Sequence, residues 1–236
     1  MELTLLARAF AVVMLLGLPV LALRTKLTDE QAGEVAAARS AVYLSAVLST
    51  LILVGITWGV ARWQNVSAEA LGWTAQRPLE GFAWAGSVTV AGLLVVWLLV
   101  AAGRRLDLPE SRLALALMPR SGPEMLGFLL LSAVAAIAEE YMFRGYMLHV
   151  LSDWSASVPV AAVLTTLSFG MAHGYQRFMG ILRATALGAL LALAVVQTGS
   201  LFPAIVAHFW INAAVGLGLW RKFFPDADEV APRGAG

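Results

Sequence analysis

Long apolar segments, each close to the length of a membrane-crossing helix, follow one another through most of the chain. A bilayer core about 30 Å thick requires roughly 20 apolar residues of helix. Seven segments approach that length: Thr4–Leu23, Ala41–Ala61, Gly81–Gly103, Pro123–Leu151, Val158–His173, Phe178–Val196 and Ser200–Trp220. The pattern predicts an all-α fold, a polytopic transmembrane helical bundle of about seven spans.

The last two segments are separated by turn-forming residues rather than by charge. No Asp, Glu, Lys or Arg occurs between Ala184 and Trp220. A single helix over that stretch would rise about 55 Å, which is too long for one span. Residues 197–200, Gln-Thr-Gly-Ser, and then Pro203 favour a turn, so we expect two spans that meet near Gly199.

The first segment has two interpretations, a retained span or a cleaved signal peptide. Its apolar stretch is long, and no small-x-small cleavage site closes it, so we expect a retained span.

Arginine and lysine are distributed unequally between the loops that alternate spans bring to the two sides of the membrane. Because positive residues concentrate in cytoplasmic loops, the sequence predicts an N-terminus outside and a C-terminus in the cytoplasm. The predicted cytoplasmic residues are Arg24, Lys26, Arg39, Arg104, Arg105, Arg112, Arg120, Arg177, Arg183, Arg221, Lys222 and Arg233, against Arg8, Arg62 and Arg77 on the other side.

Composition supports a membrane protein and excludes several functions. The 236 residues are 60% hydrophobic and 13% charged, whereas soluble domains are typically about 45–50% apolar and about 25% charged. The net charge of +1 gives no sign of nucleic-acid binding. The lack of cysteine excludes disulfides, a thiol nucleophile and a thiolate metal site. The sequence does not indicate an oligomeric state.

Six polar residues lie inside the predicted spans of the second half of the chain. They are Glu139, Glu140, Arg144, His173, His208 and Asn212. An ionisable group at mid-bilayer costs about 2.5–3.5 kcal/mol or more, so each is a candidate functional residue. Residues four apart share a helix face, which predicts that Glu140 can pair with Arg144 and that His208 and Asn212 can face one cavity.

Each of these features also has a structural interpretation. A Glu–Arg pair can simply neutralise itself inside the bundle. His208 and Asn212 can form hydrogen bonds between helices, and His173 can lie at the membrane interface. We interpret His149, at the exit of the fourth span, as structural.

Two histidines and a carboxylate suit hydrolysis by either of two routes. They could bind zinc, or they could position and deprotonate a water while the remaining donors hold an oxyanion. Buried Glu, His and Arg also build proton or ion relays in transporters. Transporters, however, usually show interrupted helices in both halves, and here the polar set occupies one half only.

Three short motifs resemble those of a known family. Residues 139–145 match EExxxR, residues 169–173 match FxxxH, and residues 208–212 match HxxxN. This set, in this order and in apolar segments, resembles the CPBP family of CAAX-type intramembrane endopeptidases, which is related to the CAAX prenyl proteases and the bacteriocin-immunity (Abi) proteins. The match covers about Pro123–Trp220.

The resemblance implies a helical bundle around a water-filled cavity and a role for each motif residue. Glu139 and His173 would activate water, His208 and Asn212 would hold the tetrahedral oxyanion, and Glu140 and Arg144 would support the site. We expect no cofactor, because no further carboxylate or thiolate completes a closed metal-ligand set. A zinc ion held by His173, His208 and Glu139 is the alternative.

The same resemblance divides the chain and limits its partners. Residues 1–122 would form three N-terminal spans, 123–220 the catalytic transmembrane core, and 221–236 a cytoplasmic tail. The partners would be the lipid bilayer and a membrane peptide or lipidated protein substrate, with no nucleic acid. The alternative function is that of a non-catalytic bacteriocin-immunity or membrane scaffold protein of the same fold.

Overall fold

The computed structural model of the chain describes residues 4–25, 29–74 and 78–223. Throughout these ranges the regular structure is helical, without a strand. Most of the predicted tail, residues 224–236, lies outside the described residues. Lys26, Arg77 and Arg233, which entered the comparison of positive charge, lie outside them as well.

The described ranges contain nine helices, and six of them are long and apolar enough to cross a membrane. In chain order the helices are α1 (Leu5–Arg24), α2 (Asp29–Ala37), α3 (Arg39–Trp63), α4 (Pro78–Arg105), α5 (Arg112–Ala116), α6 (Gly122–Ser155), α7 (Val158–Ala172), α8 (Gly174–Thr198) and α9 (Phe202–Phe223). The six membrane-length helices are α1, α3, α4, α6, α8 and α9.

The predicted fifth span is the helix α7, which is shorter than the others. Its 15 residues rise about 22 Å at 1.5 Å per residue, less than the bilayer core of about 30 Å. The prediction of about seven spans is confirmed in this form, with six full-length helices and one short one. Because α7 is shorter than the bilayer core, His173 at its C-terminal cap can lie inside that core and not at the membrane surface.

The distribution of side chains is that of a protein in lipid. Large apolar side chains cover the outside, including Ile52 and Val90, which are 65% and 70% exposed. Glu140 and Arg144, in contrast, are buried inside the bundle. Continuous apolar surface of this extent is rare on soluble monomers and fits a bilayer. The chain is therefore a multi-pass membrane protein.

Local sequence explains where the helices of the second half begin and end. The Ser121 side chain accepts from the backbone N–H of Glu124, whose carboxylate accepts from the N–H of Ser121, a capping box that starts α6. Gly199 ends α8 with a φ of 66°, which a residue without Cβ adopts readily. The predicted turn between the last two spans is thus confirmed.

The helices α6, α7, α8 and α9 pack together where the motif residues lie. In the packing, α6 contacts α3 and α9, while α8 contacts α4, α7 and α9. Gly92 of α4 allows the close approach, because a Cβ there would lie 2.6 Å from Cδ1 of Ile211 in α9 and 3.0 Å from Cδ2 of Leu187 in α8. The motif-bearing parts of α6, α7 and α9 therefore surround a common interior.

Candidate active site

The adjacent glutamates lie on α6 immediately before a change in helix geometry. Residues Gly122–Glu140 are α-helical, and Tyr141–Met147 form a π-helical segment. Such segments are rare and frequently occur at functional sites. Every side chain of the π-helical segment is buried, so the helix presents its charged residues to the interior and not to lipid.

Glu140 and Arg144 form the ion pair that the sequence predicts. The Arg144 guanidinium donates from Nη1 to Glu140 Oε1 over 3.0 Å, and both side chains are fully buried. Nη2 of Arg144 donates to the Gly188 carbonyl on α8, also over 3.0 Å. The guanidinium carbon lies 4.2 Å from the centre of the Phe169 ring, a cation–π contact. These contacts fix Arg144 to both neighbouring helices.

His208 connects the two glutamates. Its Nδ1 lies 2.8 Å from Glu140 Oε1, within hydrogen-bond distance. Its Nε2 lies 3.9 Å from Glu139 Oε2, beyond a direct hydrogen bond. An ionised Glu140 accepts only, so Nδ1 of His208 carries the proton in that contact. The contact with Glu140 orients the ring, and Nε2 faces Glu139.

His173 is oriented by its own helix. Its Nδ1 lies 2.8 Å from the carbonyl oxygen of Phe169, one turn earlier in α7. Because a carbonyl only accepts, Nδ1 carries the proton, and a neutral ring has its lone pair on Nε2. The Phe169 ring packs 4.7 Å from the His173 ring and 6.1 Å from that of His208. The first residue of the FxxxH motif thus packs against both histidines.

A cavity of about 500 Å³ lies against this set of side chains. Glu139, His173, His208 and Asn212 all line it, as the resemblance implies for the four reacting residues. Their catalytic role stays a prediction. Glu139 has a side chain that is 24% exposed. Within the described residues, Oε2 of Glu139 and Oε2 of Glu140 are both buried without a hydrogen-bond partner. Glu140 is fully buried and paired, so the two glutamates have different environments.

In the described ranges, residues 4–25, 29–74 and 78–223, no group of three or more His, Cys, Asp or Glu side chains lies close enough to hold one metal ion. Nδ1 of His208 is engaged with Glu140, and Nδ1 of His173 is engaged with a carbonyl. Nε2 is the nitrogen that these contacts leave on each ring. The absence of a cofactor stays a prediction.

Sequence reasoning missed several residues of this site. Gly188 supplies the carbonyl that accepts a hydrogen bond from Arg144. Nothing in the apolar sequence around Gly188 indicates this contact. Arg183 donates two hydrogen bonds of 2.7 Å to Glu110, and both residues line the cavity. The sequence indicates Arg183 only as one of the positive residues of a predicted cytoplasmic loop. Phe169 and His173 are the two ends of the FxxxH motif, and their spacing of four is the signal for the packing of their rings.

The arrangement offers two kinds of group to a molecule in the cavity. One is an accessible carboxylate, Glu139, beside a histidine with a free ring nitrogen. The other is a set of possible donors, His208 and Asn212, one turn apart on α9. A base and oxyanion donors that line one cavity are the components of water-dependent acyl hydrolysis.

Comparison with known proteins gives one match. Residues 121–214 match the model of the type II CAAX prenyl endopeptidase Rce1-like family. No curated protein and no solved structure matches the chain. The matched segment runs from the N-cap of α6 into α9 and contains every motif residue of the site. Residues 121–214, less than half of the chain, are thus similar to the Rce1-like family, in a chain whose long apolar helices make it a multi-pass membrane protein.

Proposed function

We propose that this protein is an intramembrane endopeptidase in which Glu139 and His173 activate a water. The observation that carries the proposal is the different environment of the two glutamates. Glu139 lines the cavity with a side chain that is 24% exposed, while Glu140 has a fully buried side chain that is paired with Arg144. A general base must reach the water it deprotonates, and of the two glutamates Glu139 is the one with access.

The proposed reaction is hydrolysis of one peptide bond. Glu139 takes a proton from water while Nε2 of His173 orients that water, and the hydroxide adds to the scissile carbonyl carbon. The tetrahedral intermediate then collapses, Glu139 delivers the proton to the leaving nitrogen, and the C–N bond breaks. The products are a carboxylic acid and an amine, and transfer of the acid's proton to the amine gives a carboxylate and an ammonium, so atoms and protons balance without a cofactor.

His208 and Asn212 are the proposed donors to the oxyanion. Nδ1 of His208 already donates to Glu140, so a donor at Nε2 requires a proton on both ring nitrogens. Glu140 and Glu139, at 2.8 and 3.9 Å, provide negative charge that stabilises that protonated ring. Preorganised donors of this kind usually make a large contribution to acyl-transfer catalysis.

The proposed substrate is a membrane-associated or lipidated protein. The cavity lies within a bundle whose outer surface is apolar, so a substrate reaches it from the membrane or its surface. The family description, type II CAAX prenyl endopeptidase, agrees with a lipidated substrate. A non-catalytic scaffold or immunity protein would keep the fold but would not require a partly exposed glutamate at the cavity beside a buried, paired one.

The test compares membrane-protein termini in a deletion strain that carries either wild type or Glu139→Gln at equal protein levels. New N- and C-termini that appear as pairs only with wild type identify both the activity and its substrates. Identical termini in the two strains would refute the protease and favour the scaffold.

We also propose that the N-terminus is outside and the C-terminus in the cytoplasm. Because native cysteine is absent, single cysteines report the side of a loop directly. An impermeant thiol reagent on intact cells should label Ser67→Cys, between α3 and α4, and not Arg112→Cys, at the start of α5. The reverse labelling would invert the topology.

A further inference from the structure

We infer that residues 110–118 form a lid over the cavity, and that the ion pair between Glu110 and Arg183 holds this lid closed. The lid consists of α5 and the residues on either side of it. Opening of the lid would control access to the proposed site, and that role rests on the proposed function. The closure itself can be tested without any turnover.

The lid lies at the end of the bundle where the chain passes from α4 to α6. Arg104 and Arg105, the last residues of α4, are exposed, and positive residues beside the end of a span lie at the membrane surface. Five residues of the lid line the cavity of about 500 Å³: Glu110, Ala114, Leu115, Leu117 and Met118. The lid therefore lies between the aqueous phase at this end and the cavity that contains Glu139.

The N-terminal end of the lid is held by the first turns of α8. Arg183 donates two hydrogen bonds of 2.7 Å, one to each carboxylate oxygen of Glu110. The hydroxyl of Ser111 donates to the carbonyl of Tyr175 over 3.2 Å. When the lid opens, both charges of the ion pair regain water, and this hydration offsets much of the attraction that is lost. Such a pair is suited to a contact that breaks and reforms.

The C-terminal end of the lid is held more firmly, by α3. Nε of Arg39 donates to the carbonyl of Ala116 over 2.6 Å, and the hydroxyl of Tyr43 donates to the carbonyl of Leu117 over 2.5 Å. Arg39 and Tyr43 are both buried. Breaking these bonds would leave buried polar groups without partners, which is unfavourable. The lid should therefore pivot at this end and open at Glu110.

The lid is packed less tightly than the membrane-length helices. α5 packs mainly against α2 and against Gly174–Gln176 at the start of α8. Of the five residues of α5, only Ala116 is buried, and the others are half-buried or exposed. Segments with few buried contacts open locally more readily than packed helices. The lid is thus the part of the cavity wall that can open without disturbing the bundle.

The test measures access to the cavity in the full-length protein in lipid nanodiscs. The chain has no native cysteine, so Ser132→Cys supplies a single thiol. Ser132 is buried on α6, two turns before Glu139, and lines the cavity. A cationic, membrane-impermeant methanethiosulfonate reagent reaches it only through water. Val150→Cys, made without Ser132→Cys, reports global unfolding, because Val150 is fully buried and does not line the cavity.

Arg183→Gln and Glu110→Gln, each combined with Ser132→Cys, remove the ion pair and should speed labelling. Minor open states are typically populated at about 0.1–10%, so the labelling rate should rise at least about tenfold when the open state predominates. The charge reversal, Glu110→Arg with Arg183→Glu, restores the pair and should return the rate towards that of the Ser132→Cys protein. Val150→Cys should stay unlabelled in every background.

Glu124→Gln is the matched control for the loss of an ion pair. Glu124 pairs with Arg39 at the same end of the bundle, and the side chains of Glu124 and Glu110 are both 20% exposed. Neither Glu124 nor Arg39 lines the cavity, and glutamine keeps the capping box of α6. The labelling rate of Ser132→Cys should stay unchanged in this background.

Several outcomes would refute the lid. They are an unchanged labelling rate in Arg183→Gln and Glu110→Gln, a rate in Glu124→Gln that rises as much, and a charge reversal that is labelled as fast as the single variants. Labelling of Val150→Cys in the Arg183→Gln background would show that the pair holds the fold and not a lid. If labelling follows the expected order but no substrate is cleaved, the lid stands and the protease proposal fails.

Discussion

Oε1 of Glu140 lies 2.8 Å from Nδ1 of His208, a contact between α6 and α9 that no motif spacing predicts. The same oxygen accepts from Arg144 over 3.0 Å. One buried carboxylate oxygen therefore holds both the cation of its own helix and the histidine of another. Glu140 therefore positions Arg144 and His208. We expect the loss of Glu140 to lower the stability of the protein before it affects the reaction.

Glu140→Gln should lower the free energy of unfolding by about 3–5 kcal/mol, because it leaves the buried guanidinium of Arg144 without its anion. Denaturant titration in detergent measures this change. The double variant Glu140→Gln with Arg144→Gln removes both charges and should recover part of the loss. A stable Glu140→Gln protein, or a double variant less stable than either single one, would show that the pair does not support the bundle.

The elements of this fold could be predicted largely from local sequence, whereas the contacts between them could not. Apolar length predicts the spans, and a spacing of four predicts the pairing of Glu140 with Arg144. The Gly188 carbonyl and the contact of His208 with Glu140 depend on how α6, α8 and α9 pack, which hydropathy does not encode. The short α7 shows a related limit, since an apolar run does not reveal how far its helix crosses the bilayer.

Gly188→Ala should impair the support of Arg144 although it replaces no motif residue. A Cβ at Gly188 would lie 2.8 Å from Nη2 of Arg144 and 3.0 Å from the Phe169 ring. We expect a loss of about 1–3 kcal/mol in unfolding free energy, as for other overpacked interiors. Gly86→Ala is the control, because no atom lies within 4 Å of its Cβ position. Equal stability of the two variants would mean that α8 can move away.

Asn212→Ala should reduce turnover by about 10²–10³-fold, the usual effect of removing one oxyanion donor. Its unfolding free energy should stay close to wild type, since Asn212 lines the cavity rather than the packed core. The measurement is kcat on a peptide identified as a substrate. Gln197→Ala removes an exposed amide elsewhere in the bundle and should have normal turnover. A normal kcat for Asn212→Ala would exclude Asn212 from catalysis.

Strong chelators should leave peptide cleavage unchanged, because the proposed reaction uses Glu139 and His173 without a metal. The test follows cleavage after dialysis against chelator and measures zinc in the purified protein. Activity that is lost on chelation and restored by zinc alone would contradict the proposal. His173, His208 and Glu139 would then be the ligands to examine, by zinc stoichiometry in variants of each.

The central claim is that Glu139, and not Glu140, is the base. Its most direct test is Glu139→Gln, which keeps the size of the side chain but cannot accept the proton from water. We expect Glu139→Gln to abolish cleavage of an identified substrate peptide, while its peptide binding and its unfolding free energy stay near those of wild type. A Glu139→Gln protein that still cleaves that peptide, or one that loses stability as Glu140→Gln should, would contradict it.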